Sequence, residues 1–135
     1  MLKLLPALAL LALMMTPAAA KPVTLLALGD SLTAGYGLQP SDAFPVKLEA
    51  ALKAKGHDVK VINAGVSGDT ALDGASRLDW ALAEPVDAVI VELGANDALR
   101  GLPVPQAEAA LDQLLTTLAE KKIPTLLAGM KAPPN

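Results

Sequence analysis

The sequence has no cysteine, one histidine and no excess of basic residues. Without cysteine, the chain can form neither a disulfide framework nor a thiolate metal site. Lysine and arginine together number 11 against 14 aspartates and glutamates, so the formal net charge is −3 at pH 7. Because proteins bind nucleic-acid phosphates through basic patches, this charge balance argues against a nucleic-acid partner.

A positive charge followed by an apolar run opens the sequence. Lys3 precedes the apolar residues Leu4 to Met15, and residues 18–20 are the small alanines typical of a cleavage site. The run is shorter than the ~20 apolar residues that a helix needs to cross a bilayer. We therefore predict a signal peptide over residues 1–20, no stable membrane span after its removal, and a periplasmic or secreted location.

After residue 20, apolar strand-like runs alternate with helix-like segments. Strands are predicted at Val23 to Leu28, Val59 to Ile62, Val86 to Leu93 and Pro124 to Gly129. Helices are predicted from Ser41 or Asp42 to Lys55, from Thr70 to Ala83, and from Val104 to about Leu118. This order predicts an α/β fold with right-handed crossovers, in which a parallel sheet is covered by helices on both faces.

Each of the first three predicted strands leads into a polar loop that contains glycine. These loops are Gly29-Asp30-Ser31, Asn63 to Asp69, and Gly94 to Asp97. The carboxyl ends of parallel strands lie at one edge of a sheet, where α/β proteins place their ligand sites. The sequence therefore predicts a single site built from all three loops.

The residue types in these loops suit nucleophilic catalysis by a serine. Ser31 provides the hydroxyl, and a serine nucleophile needs hydrogen-bond donors for the oxyanion that its attack creates. The candidate donors are the N–H groups of Ser31 and Gly68 and the side-chain amide of Asn96, each typically worth ~3 kcal/mol in the transition state. Three carboxylates are expected to support the loops by accepting from backbone N–H groups: Asp30, Asp69 and Asp97.

The loop sequences GDSLTAGYG, NAGVSGDT and GAND resemble the first three motif blocks of the SGNH hydrolases, also called GDSL esterases and lipases. The stretch ELGANDALRG is similar to the bacterial subgroup of periplasmic arylesterases, thioesterases and lysophospholipases. This resemblance implies a three-layer flavodoxin-like fold with strand order 2-1-3-4-5. It also implies Ser31 as the nucleophile, with Ser31, Gly68 and Asn96 as the oxyanion hole. The implied substrate is a small ester, thioester or lysophospholipid, and no metal or cofactor is implied.

One block of that family has no counterpart in the sequence. The family supplies its base from an Asp-x-x-His block after a fifth strand, whereas the single histidine here is His57, just before the second predicted strand. A strand of this length, at ~3.3 Å per residue, places His57 about 20 Å from the site, as a solvated turn residue. We expect residues 21–135 to be a hydrolase domain that is incomplete at its C-terminus and, by itself, close to inactive on esters.

Two other functions remain open at this point. A flavodoxin-like module could bind phosphate on the N–H groups of the first loop, although the sequence lacks a Walker lysine and a Gly-x-Gly-x-x-Gly motif. A non-catalytic domain could bind acyl ligands instead. An α/β-hydrolase is disfavoured because Ser31 does not lie in a Gly-x-Ser-x-Gly elbow.

Predictions also concern three further side chains. Tyr36 is a candidate for lining the acyl site, and Arg100 for meeting a substrate carboxylate or phosphate. Trp80, on the second helical region, is expected to fill the core.

Overall fold

Four parallel strands form one sheet in the order β2-β1-β3-β4 in the computed structural model, which describes residues 21–131. The strands are β1 (Val23–Gly29), β2 (Val59–Gly65), β3 (Ala88–Glu92) and β4 (Thr125–Leu127). The predicted parallel α/β fold is confirmed, and the order agrees with the first four positions implied by the resemblance. The predicted signal peptide, residues 1–20, lies outside the described residues.

Six α-helices connect or follow these strands within the described residues. They are α1 (Ser31–Ala34), α2 (Phe44–Ala54), α3 (Ala71–Ser76), α4 (Leu78–Ala81), α5 (Ala95–Leu99) and α6 (Val104–Glu120). The helix that was predicted from Ser41 or Asp42 begins later, because Pro40–Asp42 form a separate 3₁₀ turn and Ala43 precedes the first helical residue. Pro45 lies in the first turn of α2, where its missing N–H leaves no helical hydrogen bond unmade.

The single helix predicted over residues 70–83 is two helices in the structure. Arg77 ends α3 and precedes α4, and its backbone leaves the helical region with a φ of −103° and a ψ of 8°. Its guanidinium group turns towards the ends of β1 and β2, where it donates to the carbonyl oxygens of Gly29 and Ala64. The break therefore lies at the residue whose side chain is bound to the sheet.

The central strands β1 and β3 are buried on both faces, which accounts for their continuous apolar sequences. The core is formed by Leu26, Leu28, Leu78, Val89, Val91, Leu93, Leu114 and Leu118. The prediction that Trp80 fills the core is wrong, since its side chain is 75% exposed. Successive helical residues are 100° apart, so when Leu78 of the short α4 faces the core, Trp80 two positions later points away from it.

The strand β4 lies at the edge of the sheet. Among the described residues it pairs with β3 alone, with Leu126 opposite Ile90, and each of its three residues is exposed. Within residues 21–131, no helix combines the length and the apolar character required to cross a membrane.

Candidate active site

The three polar loops leave the sheet at the same level. Gly29, the last residue of β1, is paired with Gly65 at the end of β2 and with Glu92 at the end of β3. Because the strands are parallel and end in register, the segments that follow them begin side by side. This register brings the three predicted loops to one edge.

Ser31 is the first residue of α1 and is partly exposed. Asp30, which is fully buried, caps this short helix by accepting a hydrogen bond from the Leu32 N–H at 3.0 Å. Gly35 closes the helix with a φ of 86°, and its N–H donates to the Ser31 carbonyl at 3.0 Å. The serine is therefore held in a tight turn whose two ends are both hydrogen-bonded.

Two glycines allow α1 to lie directly against the strand ends. A Cβ atom on Gly29 would overlap the Thr33 side chain and the Glu92 carbonyl oxygen. A Cβ atom on Gly65 would overlap the backbone of Ala34. Glycine is needed at both positions because of this close approach rather than because of the backbone angles.

Asn96 connects the third loop to the other two. Its side-chain amide donates to the Asp69 carbonyl at 2.8 Å and to the Asp30 carboxylate at 3.3 Å. Asp30 is adjacent in sequence to Ser31, and Asp69 is adjacent to Gly68. The structure thus brings the loops of all three predicted site residues together around one amide group.

Gly68 lies in the second loop with a φ of 92°, a backbone conformation that favours glycine. Its carbonyl oxygen accepts a hydrogen bond from the guanidinium group of Arg100. Within residues 21–131, neither the Gly68 N–H nor the Ser31 N–H donates to a protein acceptor. Two backbone donors at this edge are therefore available to a ligand.

The other two predicted supporting aspartates have different kinds of partner. Asp97 is buried and accepts from the Ala71 N–H at 2.8 Å, so it joins the third loop to the start of α3. Asp69 instead accepts from the Arg77 side chain, at 2.6 Å. Arg77 also donates to the Gly29 and Ala64 carbonyls, at 3.0 and 2.9 Å. One arginine thus connects the ends of β1 and β2 to the Gly68 loop.

Sequence reasoning missed Glu92, a buried carboxylic acid at the end of β3. Its Oε2 atom accepts from the Thr33 hydroxyl at 2.8 Å and from the Asp30 N–H at 3.4 Å. Burial raises the pKa of Glu92; the nearby Asp30 charge acts in the same direction, and the Thr33 hydrogen bond opposes them. The available signal was an acidic residue that ends an otherwise apolar strand, in the sequence AVIVE.

The remaining predicted residues are on the surface. Tyr36 follows α1 and is 80% exposed, whereas Arg100 reaches the Gly68 loop. His57 is exposed and precedes β2, at the amino edge of the sheet and away from the three loops. In the part of the chain that the structure describes, no group of three or more histidine, cysteine, aspartate or glutamate side chains could hold a metal ion.

The fold and the loops define an α/β protein whose three polar loops, including the one that carries Ser31, meet at the carboxyl edge of a parallel sheet. Residues 27–135 match the GDSL-like Lipase/Acylhydrolase family, and the chain belongs to that family. The resemblance inferred from the three sequence motifs is confirmed.

Relatives and solved structures agree with this assignment. The chain is 42% identical to Esterase TesA of Pseudomonas aeruginosa over 130 residues, which cover 93% of this chain and 63% of the relative. It is 41% identical over 123 residues to Thioesterase 1/protease 1/lysophospholipase L1 of Escherichia coli, covering 90% of this chain and 58% of the relative. The crystal structure of AlinE4, an SGNH-hydrolase family esterase, superposes with a TM-score of 0.82 and 46% identity over 87% of this chain and 64% of that one. The chain thus spans less than two thirds of the length of these proteins.

Proposed function

We propose that this domain is a serine hydrolase that cleaves carboxylic esters or thioesters through an acyl-Ser31 intermediate. The observation that carries the proposal is the convergence at Asn96, whose amide joins the Ser31 loop to the Gly68 loop. Family membership and the names of the relatives, which include an esterase and a thioesterase/lysophospholipase, support the same chemistry.

The proposed reaction begins when the Ser31 hydroxyl oxygen attacks the substrate carbonyl carbon and gives its proton to a general base. The carbonyl oxygen becomes an oxyanion, which accepts from the free N–H groups of Ser31 and Gly68. The Asn96 amide is the third donor, and the oxyanion competes for it with the Asp30 carboxylate, the more distant of its two acceptors. Each donor of this kind typically contributes ~3 kcal/mol to transition-state stabilisation.

The tetrahedral intermediate then collapses. Its bond to the leaving oxygen or sulfur breaks, the leaving group takes the proton from the base, and Ser31 remains acylated. Water attacks the acyl-enzyme by the same route, which releases the acid and restores the serine. The donors are backbone and amide groups held by the fold, so the oxyanion is stabilised without reorganisation during the reaction.

The general base is the component that the described residues do not provide near Ser31. His57 lies at the opposite edge of the sheet, so it is unsuited to take the Ser31 proton. The family resemblance implies an Asp-x-x-His segment for this role. The 135 residues of the sequence contain no such segment.

An apolar acyl chain fits the surroundings of the site. Leu32, directly after Ser31, is 57% exposed, and Val66 of the second loop is 41% exposed. Burying such side chains against a substrate chain is favourable at about 25 cal/mol per Å². The proposed substrates are small esters, thioesters or lysophospholipids, and the predicted signal peptide would direct the protein to the periplasm or outside the cell.

The phosphate-binding alternative is weakened by the carboxylate behind the first loop. Asp30 caps the N-terminal turn of α1 and has no lysine or arginine partner among the described residues. A carboxylate in this position disfavours a phosphate dianion on the same turn.

Covalent labelling of the full-length protein with a fluorophosphonate tests the proposed function. The Ser31 oxygen forms a bond to phosphorus, fluoride leaves, and peptide mass spectrometry locates the adduct. We expect the adduct on Ser31, no labelling of Ser31→Ala, and unchanged labelling of Ser41→Ala, a matched control on the exposed 3₁₀ turn. Equal labelling of Ser31→Ala and the native protein would contradict the nucleophile assignment.

A further inference from the structure

We propose that Glu92 is a positioning residue for Ser31, because its carboxyl group fixes the first turn of α1 through Thr33 and through the backbone of Asp30. The effect on reactivity rests on the proposed role of Ser31 as the nucleophile. The effect on the turn itself does not depend on that role and is measured separately below.

A single carboxylate oxygen of Glu92 contacts both sides of the serine. Its Oε2 atom accepts from the N–H of Asp30, one residue before Ser31, and from the hydroxyl of Thr33, two residues after it. Thr33 is fully buried, so its hydroxyl cannot exchange this partner for water. The backbone of Ser31 is therefore held between two contacts to the same oxygen atom of another strand.

The position of Glu92 shows why this contact belongs to the site rather than to the sheet alone. As the last residue of β3, Glu92 is paired with Gly29, the last residue of β1. The absent Cβ at Gly29 leaves the space through which Thr33 approaches the end of β3. The glycine of the first motif and the acid of the third strand thus act on the same helical turn.

Burying a carboxyl group is unfavourable unless its oxygen atoms are hydrogen-bonded, and only one of the two oxygen atoms of Glu92 is. The side chain belongs to a residue that is 9% exposed, and its Oε1 atom is buried without a hydrogen-bond partner among the described residues. Buried polar atoms in native proteins are mostly paired, so an exception of this kind calls for an explanation. Burial, and to a lesser extent the nearby Asp30 charge, raises the pKa of Glu92, which favours its neutral form. A neutral carboxyl group still offers an oxygen to Thr33 and Asp30.

Four variants of the full-length protein test this inference. Glu92→Ala removes the acceptor, Glu92→Gln keeps an uncharged acceptor of the same shape, and Thr33→Val removes the hydroxyl while keeping the volume. Glu84→Gln, on the exposed segment before β3, is the matched control. Two properties are measured: amide hydrogen exchange in residues 30–34, and the rate at which a fluorophosphonate labels Ser31.

We expect Glu92→Ala and Thr33→Val to accelerate exchange in residues 30–34 and to slow labelling, each about tenfold, because each loses a buried hydrogen bond. Glu92→Gln should restore both properties towards native values, and Glu84→Gln should change neither. Rescue by glutamine separates positioning through an acceptor from a general requirement for side-chain volume.

Native labelling rates in both Glu92→Ala and Thr33→Val would overturn the inference, as would faster exchange in these variants with unchanged labelling. If Glu92→Ala does not fold, Thr33→Val and Glu92→Gln decide the question. Failure of the native protein to label at Ser31 would instead contradict the proposed function. In that case, unchanged amide hydrogen exchange in Thr33→Val would still contradict the inference that Glu92 fixes the first turn of α1.

Discussion

The carboxyl and amino edges of the sheet differ in how deeply they bury ionisable side chains. At the carboxyl edge, the acidic residues are at most 9% exposed; these are Asp30, Asp69, Glu92 and Asp97. At the amino edge, His57 and Asp58 are exposed, as is Lys60 within β2. Burying a charged group is unfavourable unless the group is paired. The buried acids at the carboxyl edge therefore carry a desolvation penalty that the exposed side chains of His57, Asp58 and Lys60 do not.

The hydrogen bonds of the buried acids at the carboxyl edge show which parts of the chain these side chains hold together. Asp30 caps α1, Asp97 binds the start of α3, and Asp69 holds Arg77. Each of these interactions joins segments that come from different strands or loops, or closes the turn that carries Ser31. Buried acids concentrated in this way hold the three loops together, whereas the side chains of His57, Asp58 and Lys60 make no hydrogen bond or ion pair within the described residues.

The largest effect should come from Asn96→Ala, which removes the amide between the loops. We expect kcat for ester hydrolysis by the full-length protein to fall by ~10²–10³, the usual loss when one oxyanion donor is removed. Steady-state kinetics on an aryl ester measure the change. Gln113→Ala, which deletes an exposed amide on α6, is the control and should retain native kcat. Native kcat in Asn96→Ala would exclude the amide as a donor.

A smaller effect is expected from Asp97→Ala, which leaves the Ala71 N–H without its acceptor. Ala71 is fully buried, and an unsatisfied buried donor costs about 1–3 kcal/mol of unfolding free energy. Urea denaturation measures the loss. The corresponding change at the amino edge, Asp58→Ala, should alter the unfolding free energy by no more than about 0.5 kcal/mol. Equal losses in the two variants would remove the distinction between the edges.

Because of Glu92, the unfolding free energy should depend on pH. Its pKa in the folded protein is raised above the ordinary 4.5, chiefly by burial, so the folded state retains a proton that the unfolded state has lost. Stability contributed by this group therefore falls as pH rises from about that ordinary value through the raised one. Asp30 is the neighbouring charged group that adds to this rise in the pKa of Glu92. Arg77 and Asp97 have other partners, since Arg77 donates to Asp69 and Asp97 accepts from the Ala71 N–H.

Glu92→Gln should remove this decline, which urea denaturation at a series of pH values will detect. Asp73 supplies a control of opposite sign, since hydrogen bonds from Thr70 lower its pKa below the ordinary 3.8. Its stabilising contribution is lost as pH falls through that lowered value, and Asp73→Asn should remove this acid-side loss. Identical pH profiles for the native protein and Glu92→Gln would contradict the Glu92 prediction.

The smallest effect is expected at His57. Because this residue is exposed and lies at the amino edge, His57→Ala should leave labelling of Ser31 and ester hydrolysis unchanged. Labelling and kcat of the variant are compared with those of the native protein under the same conditions. A tenfold loss in the labelling of Ser31 or in kcat would contradict this prediction and would show that a change at the amino edge alters the Ser31 loop.

Much of the fold was predictable because its signals are local. The apolar runs of β1 and β3 indicate strands buried on both faces, and strand–helix alternation implies a parallel sheet. Predicted element boundaries were less accurate. The end of β2 lies at Gly65 rather than Ile62, since backbone pairing with β1 continues as far as Gly29. The break at Arg77 depends on contacts with distant strands, which helical periodicity does not report.

By itself, the sequence determined the family, the parallel α/β class and the three loops that gather at one edge, because motifs and periodicity are properties of short segments. Only the tertiary structure decided which side chains support those loops. Glu92 meets Thr33 across 59 positions in the chain, and Arg77 meets Gly29 across 48. Such pairs depend on strand register and on the space left by Gly29, and no local pattern encodes either.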